Sequence, residues 1–207
     1  MKIKAHPVSK ISGGPSQTIC PHCGHNGTFE VIGQDLFVED KYTCGQRRCP
    51  DPACRGHLFV ILKNRDLVFQ YPPRRTPFNK DNIPASILKT FDEAITCHAH
   101  SCFVASAIMI RRTLEEICEE RGASGKDLKA RILDLKTKVI LPQELFDAMD
   151  ELRLLGNDAA HIEAKTFAQI SKPELDVAIE FTIELLKALY QYSSLLTRMR
   201  GLKKTTP

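Results

Sequence analysis

The sequence predicts an α+β chain that is mainly α: a small β module at the N-terminus, then an antiparallel bundle of four to five helices. Three observations lead there. Short runs rich in Val, Ile, Phe and Tyr crowd the first 70 residues, prolines then break the chain, and apolar residues recur at helical spacing from about residue 84 onward. The expected organisation is a β module over 1–70, a proline-rich linker over 71–83 and a helical bundle over 84–200.

In the β module, TFEVIG, LFVEDKYTC and HLFVILKN are the expected strands, with Gly24, Gly27, Gly33, Gly45 and Gly56 marking turns between them. LVFQYPPRRTPFNKDNIPAS, with Pro72, Pro73, Pro77 and Pro84, is the expected linker. Pro84 then opens a helix to about His98, with Ile87, Leu88, Phe91, Ala94 and Ile95 on one stripe. A second helix spans about 102–121 and stops at Gly122, and a third covers roughly 126–136. A fourth starts at Pro142. The Ser171, Pro173 and Glu174 set starts a fifth, which runs to about Met199.

Hydrophobic residues make up 43% of the 207 and charged residues 26%, an ordinary balance for a globular chain. The basic N-terminus, MKIKAHPVSKISGGPSQ, lacks the apolar core of a secretion signal, and no apolar run reaches a membrane-spanning length. The expected compartment is the cytoplasm, where thiols stay reduced, so the eight cysteines read as metal ligands or buried thiols rather than disulfides. The charge is uneven: residues 1–80 carry 12 Lys and Arg against 6 Asp and Glu, while 81–207 carry 17 against 19. A basic small module points to a polyanionic partner, RNA or DNA, with Arg47, Arg48, Arg55, Arg74 and Arg75 as the candidate phosphate contacts.

Cys20 and Cys23 form CPHC, and Cys49 and Cys54 form CPDPAC. Two tight cysteine turns separated by strands are how a zinc ribbon presents four thiolates. A module this small has little core of its own, so a structural Zn2+ explains how it stays folded. The preferred ligand set is Cys20, Cys23, Cys49 and Cys54. An alternative takes Cys44 with Cys20, Cys23 and Cys49, leaving Cys54 free, and His22, His25 and His57 are possible substitutes. A second cluster, CHAHSC (Cys97, His98, His100, Cys102), reads as an inter-helix loop with buried cysteines.

Two helices carry charges close to apolar stripes. On the second, Val104, Ala107, Ile108, Leu114 and Cys118 share a face with Arg111 and Glu115, while Arg112, Glu116 and Glu120 point to solvent. On the fourth, Leu145, Phe146, Met149, Leu152, Ala159 and Ala160 form the apolar face, and Arg153, Asn157 and His161 follow at four-residue steps along its shoulder. Gly156, inside that face, lets another helix or a ligand come close.

Taken together, CPHC, RRCPDPAC, the YPP and IPASI segments, RRTLEEI and LRLLGNDAAH resemble the bacterial domain-of-unknown-function family 4145 over most of the chain. That family resembles the HEPN helical-bundle superfamily, many of whose members are metal-independent RNases in toxin–antitoxin and anti-phage systems and act as dimers. The resemblance implies a HEPN-like bundle, a homodimer through that bundle, and a place beside a partner effector protein. The HEPN motif sets an arginine, a polar residue, three further residues and a histidine. Here Asn157 and His161 match, and Gly156 stands where the arginine belongs. Histidine would handle the 2′-hydroxyl proton and arginine the scissile phosphate, so the departure favours a non-catalytic component. The alternative is an endoribonuclease using His161 and Asn157, with Arg153, Arg111 and Glu115 completing the site.

Overall fold

The structure is a computed structural model; it describes residues 9–38, 41–160 and 170–202. The chain divides into two compact units, Met1–Pro77 and Phe78–Pro207.

The first unit is an antiparallel sheet. Its strands are β1 (Ser9–Ile11), β2 (Ser16–Ile19), β3 (Asn26–Val38), β4 (Tyr42–Arg48), β5 (His57–Lys63) and β6 (Asp66–Tyr71). The order is β1-β3-β4-β5-β6, and β2 pairs with the opposite end of β3 from β1. Alternation along HLFVILK buries Leu58, Val60 and Leu62 and turns Phe59 outward. With Phe29 and the cysteines Cys20 and Cys49 these residues make a very small core. Gly33, at φ +73°, lies where the β3–β4 register shifts between Ile32 and Leu36, a bulge that bends the 13-residue β3. The sheet curls until β2 reaches β6, where the Thr18 hydroxyl donates to the Gln70 side-chain oxygen.

Several expectations are corrected here. LFVEDKYTC is not one strand: Leu36–Val38 ends β3 and Tyr42 begins β4. LVFQY is β6 rather than the start of a linker, because Gln70 is buried and its neighbours pair with β5. Gly27, Gly33 and Gly45 lie inside strands rather than in turns between them. The strands β1 and β2 come from polar sequence whose pairing with β3 overrides weak local propensity.

The second unit holds α1 (Ala85–Ala99), α2 (Phe103–Glu120), α3 (Leu128–Leu135), α4 (Gln143–Ala160), α5 (Lys172–Leu186) and α6 (Tyr192–Gly201). Helix α2 is central and packs on α1, α3, α4 and α5. Its end is a Schellman turn: Gly122, at φ +68°, donates to Glu119 O, and Ala123 N donates to Cys118 O at 2.7 Å. Asp127 caps α3 by accepting from Ala130 N, and the Glu174 carboxylate accepts from Ser171 N at the start of α5.

The expected fifth helix is interrupted by a π-turn, Lys187–Gln191. The extra residue in that turn lets Tyr190 and Gln191, adjacent in sequence, both face inward. The Tyr190 hydroxyl donates to Glu120, and the Gln191 amide donates to the carbonyls of Asn79 and Asp81. No helix among the described residues is long and apolar enough to cross a membrane.

Candidate metal centre and the polar seam

Each cysteine pair sits at the tip of a hairpin. Cys20 follows β2, and the chain turns back because Cys20 N donates to His25 O at 2.8 Å and Gly24, at φ +78°, donates to Cys20 O. Cys49 follows β4, and the second turn closes with Cys49 N donating to Gly56 O at 2.9 Å. Within it the Asp51 carbonyl accepts from Cys54 N and Arg55 N, and the Asp51 carboxylate accepts from Ala53 N. Antiparallel pairing of β3 with β4 sets the two tips side by side.

The sulfurs of Cys20, Cys23, Cys49 and Cys54 all lie within 4.8 Å of one another. Cys20 Sγ and Cys54 Sγ are 3.8 Å apart, as are Cys23 Sγ and Cys49 Sγ. Four thiolates held about 2.3 Å from a tetrahedral zinc ion would be separated by about 3.8 Å. The donor set therefore fits a four-thiolate metal site. Four protein ligands leave no open position, so a metal held there is structural. Without a cation, burial pushes the Cys49 thiol up to about 12, against the hydrogen bond with the Asp51 backbone and helped by the neighbouring thiols. A bound cation reverses that preference by binding the thiolate.

Cys44 is outside the tetrad. It lies in mid-β4, five residues before Cys49, about 16 Å along an extended strand. His22 is turned away too: its Nε2 sits 3.0 Å from His57 O, bridging the two tips. Gly56 is required at that bridge, since a Cβ there would overlap the His22 ring and lie 3.2 Å from Cys54 Sγ.

The arginine expectations are corrected in part. Arg47 is fully buried, not a surface cation. Its Nη1 and Nη2 donate to the two carboxylate oxygens of Asp35 at 2.8 and 2.7 Å, Nε donates to Ser16 Oγ, and Nη1 also donates to Gln46 O. A phosphate has no access to it. Arg48 donates to Glu30 at 2.7 Å, and Arg55 lies 3.9 Å from the same carboxylate. Arg74 is exposed and Arg75 half-buried. The Asp35–Arg47 pair was not anticipated. Its trace in the sequence is Gly45 in mid-strand, where a Cβ would overlap the Asp35 carboxylate.

The polar seam is rearranged as well. The buried face of α2 is Ser106, Ala107, Ile110, Thr113, Leu114, Ile117 and Cys118, while Val104 and Ile108 are exposed. Arg111 and Glu115 lie at its rim, 3.2 Å apart, and Arg111 Nη1 also donates to Arg153 O. Glu116, expected in solvent, instead accepts from Thr90 on α1. Arg153 turns from this cleft and donates through Nε to Asp150 at 2.7 Å. Asp150 lines a separate cleft between α3 and α4. So the structure does not gather Arg111, Glu115 and Arg153 into one site. Asn157 is half-buried on α4, and His161 lies outside the described residues. Gly156 is buried where α4 meets α2: a Cβ would overlap Arg111 Cβ and lie 3.1 Å from Ala107 O. The close neighbour it admits is a helix.

In CHAHSC, Cys97 and His98 belong to the last turn of α1 rather than to a loop, and Cys102, the N-cap of α2, is exposed rather than buried. His98 Nε2 is 2.8 Å from Asp176 on α5, which pins the end of α1. Among the described residues the four-cysteine cluster is the one group with metal-binding spacing.

Residues 92–204, more than half of the chain, match the family described as domain of unknown function (DUF4145), and the chain belongs to that family. No curated protein matches, and no solved structure matches.

Proposed function

We propose that this chain is a zinc-stabilised, non-catalytic binding protein: its N-terminal unit engages nucleic acid, and its helical bundle pairs with a second copy. The carrying observation is the 3.8 Å spacing of the cysteine sulfurs, which matches the edge of a zinc tetrahedron and leaves the ion no vacant position for chemistry. The basic excess of residues 1–80 supports a polyanionic partner. Pairing is supported by an apolar stripe along the last helices, where Val177, Phe181, Leu195, Met199 and Leu202 are exposed and α6 buries none of its residues.

A non-catalytic role is favoured because both arginines offered in place of the missing motif arginine already have partners, Arg111 with Glu115 and Arg153 with Asp150. The resemblance to HEPN bundles adds the setting, a component of a bacterial anti-phage or toxin–antitoxin system beside a partner effector.

The test has two readouts. Metal analysis of purified protein should find one zinc per chain, lost with Cys49→Ser. Anisotropy of a labelled RNA should show binding that weakens steeply as salt rises. RNA cleavage that survives EDTA and disappears in His161→Ala would replace this reading with the endoribonuclease.

A further inference from the structure

We infer that the outer face of the N-terminal sheet is a stacking platform for single-stranded nucleic acid, with Phe59, Phe69 and Tyr71 as its base-contacting rings. The inference rests on the nucleic-acid reading above and gives it a site.

Directly paired residues of an antiparallel sheet share a face. The pairing therefore sorts this sheet into rows. Leu58, Val60 and Leu62 face the core. On the other face one row runs Lys10, Leu36, Cys44, Ile61, Phe69, and the next runs Ile32, Gln46, Phe59, Tyr71. Phe59 is 40% exposed, Phe69 44% and Tyr71 57%. A monomer that buries its apolar side chains has no reason of its own to hold three rings in register on two neighbouring strands in this way.

The chemistry favours nucleic acid as the occupant. Bases stack on aromatic rings, and rings beside a basic rim are how single strands are held. Phe69 and Tyr71, two residues apart on β6, are spaced about 7 Å along the strand, and Phe59 lies directly across from Tyr71, so the rings form a continuous surface. Cations flank both ends. Arg48, Arg55 and the row position of His57 stand beside the metal tips, and Lys10 and Lys63 at the other end. Among the described residues the acids on this face are Glu30, shared by Arg48 and Arg55, and Asp66, opposite Lys63. Four fixed cations against these two carboxylates leave an excess of positive charge for a phosphate backbone.

The chain has no tryptophan, which makes a direct test available. Phe59→Trp places a single indole on the platform. Phe37→Trp is its control: Phe37 is also 40% exposed but pairs with Ser9 and Thr43, on the other face. Each zinc-loaded full-length variant is titrated with a 12-nucleotide single-stranded RNA, the same sequence as single-stranded DNA, and its duplex. Phe59→Trp fluorescence should be quenched by the single strands and not by the duplex, and Phe37→Trp should be unaffected. The Phe59→Ala/Phe69→Ala double variant should bind single strands at least tenfold more weakly, at unchanged zinc content, since each stacked base contributes about a tenfold factor. Unchanged affinity in the double variant, or equal quenching in the control, would overturn the platform and leave the nucleic-acid reading standing. No binding by the unsubstituted protein would overturn both. A Phe59→Trp signal that changes with protein concentration alone would assign the face to a second copy of the chain instead.

Discussion

Asp35 and Arg47 form a buried, bidentate pair, and the sequence around them is arranged to admit it. Gly45 clears the space for the carboxylate, and Ser16 takes a third guanidinium hydrogen bond. Removing one partner strands the other charge in a low-dielectric interior, so Asp35→Ala should destabilise the N-terminal unit by about 3–5 kcal/mol in urea unfolding. Gly156→Ala sets two effects against each other. Alanine gains about 1 kcal/mol of helix propensity, while overpacking costs about 1–3 kcal/mol. The obstructing atoms are Arg111 Cβ and a backbone carbonyl, which no rotamer change can move. The clash should win, with a measurable net loss in melting temperature. Gly201→Ala, where a Cβ would meet nothing, should show no such loss. At Asp150 the hydrogen bond from Arg153 holds the carboxyl below its ordinary value of 3.8. The unfolded chain then takes up the proton more readily than the folded one. The pair's stabilisation is present above pH 3.8 and fades as pH falls below it. Arg153→Gln should return the Asp150 carboxyl titration, followed by NMR, toward 3.8.

The elements show where local signals suffice. Pro84 before α1, Gly122 after α2, Asp127 before α3 and the Ser171–Glu174 set before α5 all occupy the boundaries their chemistry favours. Asp127→Ala should cost about 1 kcal/mol by removing the acceptor for Ala130 N, read as a lower urea midpoint with an unchanged slope. The strands were less legible. The bulge at Gly33, the end of β3 at Val38 and the start of β4 at Tyr42 depend on the register in which β3 meets β4. The phase of α2 is not legible in the sequence for a related reason. Val104 and Ile108 are as apolar as Ile110 and Ile117, and only the placement of α1, α4 and α5 around α2 decides which pair is buried.

At the scale of the whole molecule, the two units are stabilised differently. The helical unit has an extensive core that includes Phe91, Ile110, Leu114, Met149 and Leu175. The sheet unit closes over Phe29, Leu58, Val60 and Leu62 with two cysteines, a core too small to hold a domain by hydrophobic burial alone. A metal bound at the four cysteines, as proposed above, would supply the difference. Chelation with EDTA should therefore remove one unfolding transition, and with it the β signal in circular dichroism, while the helical transition persists near its original temperature. A single transition that chelation leaves unmoved would show that the cysteines need no ion.

By itself the sequence determined the two-part α+β plan, the helix boundaries that caps announce, and the four cysteines that cluster. These are local or short-range properties, since a cap acts within one turn and a tight cysteine turn presents its own two sulfurs. The tertiary structure alone decided that Arg47 is buried against Asp35, that Cys44 stays out of the tetrad, that Arg111 and Arg153 part to separate partners, and that Phe59, Phe69 and Tyr71 come together on the outer face of the sheet. Each of those depends on which strand or helix lies opposite, and register across a sheet or phase around a helix is fixed by contacts between distant segments.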